Sequence, residues 1–206
     1  RIPSSAASDV YKRQIRDYAD DKHKTVDDTV FGGGSGMLMK PDIVANSLDK
    51  NISKGEKIFY LSPKGKKFNQ RFANSLSKQN GINLICGHFE GVDDRLLSTR
   101  NIEEISIGDY VLSGGETAAF VILDAVLRLI PGVLGNKDSI KDETFENSLL
   151  EYPQFTKPKI WEGKSVPDVL FSGDHAKIKS WRLSQSEDIT RRQRPDLWEK
   201  YLKDKK

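Results

Sequence analysis

Residues 106–130 read SIGDYVLSGGETAAFVILDAVLRLI. Tyr110, Val111 and Leu112 predict a short strand, closed by Ser113, Gly114 and Gly115. Residues 116–130 predict a helix that Pro131 and Gly132 stop. An apolar strand, a glycine turn and an apolar helix in succession are the repeating unit of an α/β sheet. The helix is apolar almost all round, which predicts burial on every side. Asp124 and Arg128 nevertheless stand one turn apart on it, and charges in an apolar setting are costly unless paired. That face predicts either an edge salt bridge, or a subunit interface or polar site where Arg128 stabilises negative charge.

Upstream, the pattern recurs. Residues 57–61 (KIFYL) predict a strand ended by the turn Ser62, Pro63, Lys64 and Gly65. Residues 83–86 (NLIC) predict another, ended at Gly87. Helical spacing of apolar residues marks 41–48 and 68–77, with Pro41 suited to a first turn. Residues 21–40 are polar and glycine-rich and predict a loop. The expected architecture is therefore α/β, with a mostly parallel sheet and flanking helices. Three of its strands end in glycine turns within 60 residues, and ligands of open α/β sheets bind beyond strand carboxyl ends. Glycine lets backbone groups approach a ligand closely. No G-x-G-x-x-G follows a strand, and Gly163-Lys164-Ser165 lacks the first glycine of a phosphate loop, because Pro158 stands there. The apolar and hydroxyl lining instead suits an adenine and ribose without a phosphate.

The chain has 206 residues, 36% hydrophobic and 31% charged, with net charge +3. That predicts one domain, or one domain with a small appendage, and excludes a uniformly basic protein. The longest apolar run, 118–123, is far short of the ~18–20 residues of a membrane span, so no membrane association is expected. One cysteine, Cys86, allows no internal disulfide and fits a reducing, cytoplasmic compartment. Three scattered histidines give no zinc-type cluster, so no metal site is predicted. Residues 1–14 lack periodicity and predict a disordered or foreign leader. The predicted organisation is a cofactor-binding domain over 15–135, an interdomain linker over 136–168 and a helical domain over 169–206. Three of the eight prolines fall in the linker, which is expected to be partly disordered. Residues 175–206 carry ten Lys and Arg against five Asp and Glu, a balance of +5 that leaves −2 for the rest. A basic end with Trp181, Arg182, Arg191, Arg192 and Arg194 predicts a polyanionic partner, although Trp181 also suits a helical core.

Several stretches resemble the bacterial tRNA (guanine-N1)-methyltransferases: Val26-Asp27-Asp28, Gly32-Gly33-Gly34-x-Gly36-Met37, Tyr60-Leu61-Ser62-Pro63-x-Gly65, Cys86-Gly87-x-Phe89-Glu90-Gly91, residues 106–116, 130–135, and Ser172-Gly173-x-His175. The resemblance covers about residue 15 to the end. It implies a knotted parallel sheet of the SPOUT type with flanking helices and a small helical C-terminal domain, the N-terminal strand and helix of the family being missing ahead of residue 15. Threaded chains are so rare that composition and periodicity would not suggest one. The resemblance further implies a homodimer, S-adenosylmethionine as cofactor, a magnesium requirement, and methylation of N1 of guanine at tRNA position 37.

By that resemblance the cofactor is held by Tyr60, Leu61, Ser62, Pro63 and Gly65, by Gly87 and Glu90, and by Ile107, Gly108, Asp109, Tyr110, Val111, Leu112, Gly114 and Gly115. Arg128 matches an active-site arginine. The family's catalytic aspartate falls at Glu143, preceded by Asp142 as the substitute base. Asp27, Gly36, His175 and Arg182 are implied tRNA contacts. Two rival readings remain. One is a non-catalytic RNA-binding module with a degenerate cofactor pocket. The other is a nucleotide-binding enzyme of small molecules, which the basic end and the missing phosphate loops disfavour.

Overall fold

The computed structural model describes residues 10–133, 145 and 148–205. Two compact units divide the chain, residues 1–135 and 136–206.

In unit 1 a 3-10 turn, Ile15–Tyr18, precedes β1 (Asp27–Thr29) and β2 (Met37–Met39). There follow α1 (Pro41–Asn51), β3 (Ile58–Lys67), α2 (Gln70–Leu76), β4 (Asn83–Ile85), α3 (Asp94–Thr99), β5 (Glu103–Ser106) and α4 (Glu116–Leu127). The main sheet has the order β4-β3-β5 and is parallel throughout. Tyr60 of β3 stands opposite Ile85 on one side and Glu104 on the other.

Residues 58–62 of the central strand β3 are buried without interruption. A strand with both faces covered needs apolar residues at successive positions, which Ile58, Phe59, Tyr60 and Leu61 supply. Its side chains still alternate. Ile58 and Tyr60 enter a cluster with Val44, Leu48, Ile85 and Leu96, on the side of α1 and α3. Phe59 and Leu61 enter the opposite cluster with Ala73, Leu76, Ile105, Ile122 and Val126, on the side of α2 and α4. Phe59, fully buried, contributes about 1.5–3 kcal/mol by leaving water. Caps set the helix starts: the Asn69 side chain accepts from Phe72 N–H at 3.0 Å, and Asp93 from Arg95 N–H at 2.9 Å.

Four expectations are corrected in unit 1. The span 21–40 is not all loop: β1 and β2 pair as an antiparallel hairpin, Asp27 opposite Met39, with the glycine run as its connection. The predicted turn at 62–65 lies within β3 as an irregularity, since both Leu61 and Lys66 pair with Ile105. The third strand is Glu103–Ser106, while Tyr110, Val111 and Leu112 form an exposed bend. Finally, α4 is not covered on all sides within one copy, for Phe120 is 72% and Val121 46% exposed. Of the predicted leader, residues 1–9 lie outside the described residues, and residues 10–14 are exposed coil.

Unit 2 includes residues read as linker. Its elements are the two-residue strands β6 (Ile160–Trp161) and β7 (Lys164–Ser165), a 3-10 turn Asp168–Phe171, α5 (His175–Gln193) and α6 (Pro195–Asp204). Gly163-Lys164-Ser165 belongs to the β6–β7 hairpin, whose turn residues Glu162 and Gly163 have φ of 48° and 75°. Its glycine thus serves a tight turn. Thr190, fully buried, ties the unit together: its hydroxyl donates to the Ser186 carbonyl at 2.6 Å and accepts from Leu150 N–H at 2.8 Å. Tyr201 of α6 donates to Glu187 of α5 at 2.7 Å.

Candidate functional site

The glycine turn after β4 and the one leading into α4 meet beside the central strand. Tyr60, near the end of the buried run of β3, is the pivot. A Cβ on Gly87 would lie 2.8 Å from its ring, and one on Gly91 would lie 2.7 Å from its hydroxyl. Only glycine therefore lets the turn after β4 close over this tyrosine. Burial pushes the Tyr60 hydroxyl above the ordinary phenol range.

The turn leading into α4 docks on the same segment. Gly115 N–H donates to the Gly87 carbonyl at 3.0 Å. A Cβ on Gly115 would lie 2.6 Å from Cys86 Cα, so the backbones touch. From the other side Gly65 packs its backbone on Glu104 and Ile105, where a Cβ would clash. Phe68 N–H donates to the Ser106 carbonyl at 2.8 Å, and Lys67 pairs with Asp109 at 3.0 Å. The 107–115 turn is braced internally: the Ser106 hydroxyl donates to the Gly108 carbonyl at 3.0 Å and accepts from Gly108 N–H at 3.2 Å. On that frame Tyr110, Val111 and Leu112 are held out into water.

The β1–β2 hairpin closes on the turn after β4. Glu90 N–H donates to the Met37 carbonyl and Met39 N–H to the Gly91 carbonyl, each at 2.9 Å. Gly36, at φ +111°, lies against the Glu90 side chain, where a Cβ would meet Cγ and Oε1 at 2.5 Å. Glu90 and Gly36 thus share one spot, with Asp27 on the adjoining strand.

Sequence reasoning left out a side-chain pair at this place. His88 Nε2 donates to Glu116 Oε1 at 2.7 Å, linking the turn after β4 to the first residue of α4. Burial alone would raise the Glu116 carboxyl, but the His88 hydrogen bond, the Glu116 backbone N–H and the nearby positive charges together outweigh it, and the carboxyl sits below its usual range. The signal was Glu116 at the start of a helix, where a carboxylate meets free N–H groups. Burial, reinforced by the Glu116 charge, pushes the Cys86 thiol up to about 11. A larger cavity of about 1080 Å³ is lined by residues of β4 and α4 and by His88, Phe89 and Glu116. The turns at 62–65 and 107–115 do not line it.

Arg128 is exposed at the C-terminal end of α4. Thirteen residues of helical rise, roughly 20 Å, separate it from Gly115 at the other end. One copy of the chain therefore does not bring Arg128 to its own glycine turns. Glu143 and Asp142 lie outside the described residues. In unit 2, His175 is exposed as the first residue of α5. Arg182 is half-buried, its guanidinium 4.8 Å from the Tyr152 ring centre. Among the described residues no three His, Cys, Asp or Glu side chains group as metal ligands, and no helix is long and apolar enough to cross a membrane.

Residues 3–200 match the family described as tRNA (Guanine-1)-methyltransferase TrmD. The chain is 75% identical over 189 residues to the tRNA (guanine-N(1)-)-methyltransferase of Pelagibacter ubique (strain HTCC1062), covering 92% of this chain and 83% of that protein. It is 54% identical to the protein of that name from Brucella canis (strain ATCC 23365 / NCTC 10854 / RM-666), covering 94% and 79%. The corresponding protein of Brucella ovis (strain ATCC 25840 / 63/290 / NCTC 10512) is 53% identical, covering 94% and 80%. With glycine turns converging on one parallel sheet and a match over nearly its whole length, the chain belongs to the tRNA (Guanine-1)-methyltransferase TrmD family.

Proposed function

We propose that this chain moves a methyl group from S-adenosylmethionine to N1 of guanine at position 37 of tRNA, as a homodimer in the cytoplasm, on a sheet knotted in the SPOUT manner. Family membership makes it a tRNA (guanine-N1)-methyltransferase. The observation that carries the cofactor reading is the docking of two glycine turns: the turn after β4 closes on Tyr60, and Gly115 of the 107–115 turn packs on that turn's backbone at Cys86 and Gly87. Their close contacts leave no room for a Cβ at Gly87, Gly91 or Gly115, and Tyr110, Val111 and Leu112 of the second turn stand out into water. Such a cradle fits a nucleoside recognised by backbone groups. The residues that would hold it are Tyr60, Leu61, Ser62, Pro63, Gly65, Gly87, Glu90, Ile107, Gly108, Asp109, Tyr110, Val111, Leu112, Gly114 and Gly115.

When bound, S-adenosylmethionine supplies an electron-poor methyl on a sulfonium. The chain's own task is to present guanine N1 to it in line. N1 carries a proton and is a poor nucleophile until that proton leaves. Glu143 takes the proton as general base, with Asp142 as the alternative. Arg128 stabilises the negative charge that develops at the O6 edge. Asp27, Gly36, His175 and Arg182 contact the tRNA, whose guanine is unstacked to reach the site. Magnesium finds no cluster of three ligands among the described residues, and no step is assigned to it.

The position of Arg128 supports the dimer. The face of α4 carrying Phe120, Val121, Asp124 and Arg128 is exposed in one copy. A two-fold axis that pairs two α4 helices antiparallel covers this face. It also sets one copy's Arg128 beside the other copy's Gly115 turn, removing the roughly 20 Å gap left within a single chain.

Single-turnover methyl transfer to tRNA with guanine at position 37 tests the chemistry. Glu143→Ala is expected to slow it about 10²–10⁴-fold, with Asp142→Ala near normal. Near-normal transfer by Glu143→Ala overturns the assignment of the base.

A further inference from the structure

We infer that unit 2 carries a receptor for one unstacked nucleotide of the bound RNA, in the pocket between α5 and the segment 152–159. The inference rests on the reading of the chain as a tRNA-modifying enzyme and names how this unit takes hold of its substrate. The pocket encloses about 500 Å³, within the ~300–1,000 Å³ of small-ligand sites.

Its walls are aromatic. Trp181 projects from α5, and Phe155 stands beside it with ring centres 6.3 Å apart. Phe155 is 47% and Phe171 54% exposed, although both line a concavity. Packing alone gives no reason to leave two phenyl rings half in water at the mouth of a pocket. A flat π-faced ligand that covers Phe155 does. Every base has such a face, and stacking on aromatic side chains is tolerant of sequence.

Its polar groups are cationic. Lys157, Lys159 and Arg182 line the pocket, and no carboxylate does. Lys159 pairs with the exposed Asp168 at 3.8 Å, and solvent screens the pair. Two of the cations are held in place by rings: Lys159 Nζ lies 4.4 Å from the centre of Phe171, and Arg182 lies 4.8 Å from that of Tyr152. Arg182 Nε is buried and has no hydrogen-bond partner among the described residues. A buried N–H left unsatisfied is costly. An anionic oxygen entering the pocket would supply the acceptor. Aromatic faces, three cations and one unsatisfied donor match a base with its phosphate. A pocket of this size admits a splayed nucleotide and not a helix, so the occupant comes from a loop or single strand.

The test uses the full chain and fluorescence anisotropy with a labelled short oligouridylate, the same length of duplex RNA, and unmodified tRNA. The single strand is expected to bind and the duplex to compete poorly. Phe155→Ala is expected to weaken both oligouridylate and tRNA roughly tenfold, through the lost stack. The double variant Lys157→Gln/Lys159→Gln is expected to lower the salt slope of binding by about 1.4, at ~0.7 per single-strand phosphate contact. S-adenosylmethionine affinity, read by calorimetry, stays unchanged in both variants. If Phe155→Ala melts early, the exposed-lysine variant carries the test. The inference fails if the variants bind single-stranded RNA as tightly as the unaltered chain, or if duplex RNA displaces the oligomer as well as the single strand does. A chain that methylates tRNA but is indifferent to these substitutions sinks the pocket alone. A chain that binds oligouridylate as described but never methylates tRNA sinks the functional reading alone.

Discussion

Replacing Gly115 by alanine isolates the contact that joins the turn into α4 to the turn after β4. Gly115 has φ −75° and ψ −14°, which alanine adopts without strain, so the effect is steric. The added Cβ would lie 2.6 Å from Cys86 Cα and 3.0 Å from Gly87 N. Both are backbone atoms, and the segment has to retreat by about 0.8 Å to reach ordinary contact in a close-packed interior. The bond from Gly115 N–H to the Gly87 carbonyl, 3.0 Å long, stretches beyond its useful range if it takes that movement. Overpacking of this kind costs about 1–3 kcal/mol and the lost hydrogen bond about 1 more, so a total of about 2–4 kcal/mol is expected. Gly114→Ala is the control, because its Cβ meets only the Glu116 carboxylate and the His88 ring edge, which can swing away. It should cost less than ~1 kcal/mol. All three tryptophans, Trp161, Trp181 and Trp198, lie in unit 2, so fluorescence follows unit 2, and unit 1 is followed by the part of the far-UV change in urea that does not track fluorescence. Equal midpoints for Gly115→Ala and the unaltered chain, or equal losses for both alanine variants, would refute the reasoning.

Three further outcomes follow from the same structure. Thr190→Val leaves the half-buried Leu150 N–H without its acceptor and should destabilise unit 2 by about 1–3 kcal/mol, read by tryptophan fluorescence in urea. Cys86, with its thiol pushed up to about 11, should react very slowly with thiol reagents at neutral pH and quickly once urea unfolds unit 1; fast reaction of the folded chain contradicts this. Tyr201, ahead of Lys205, holds the Glu187 carboxyl below its usual range. A lowered carboxylate contributes stability that is present above its unfolded value and lost as pH falls through its folded value. Tyr201→Phe should therefore destabilise unit 2 at neutral pH, with the difference shrinking in acid below the folded value; an unchanged difference there would contradict the assignment.

How far the sequence could be read depended on what each residue faced. The run KIFYL announced a central strand because both faces of β3 are covered, and apolar character alone suffices there. Tyr110, Val111 and Leu112 carry the same apolar signal for another reason, since they stand on an exposed turn. Sequence alone does not separate an apolar residue that meets a core from one that meets a ligand. The hairpin β1–β2 was missed because its strands are three residues each and its stability comes from pairing with the distant turn at 90–92. Helix α3 was missed for its brevity, six residues whose start is fixed by the Asp93 cap. Helix α4 was legible as a helix, but the exposed Phe120 and Val121 were not, because an all-round apolar pattern does not say whether a neighbour comes from the same chain. The glycine turns were visible as a set, whereas the His88–Glu116 link depends on a close approach that no spacing encodes.

The most direct test of the account is hydrogen exchange of the chain with and without S-adenosylmethionine, read peptide by peptide. The account expects exchange to slow together at 60–65, 87–90 and 107–115, the three segments assigned to the cofactor. Unchanged exchange at those turns, or slowing confined to other segments, would contradict it.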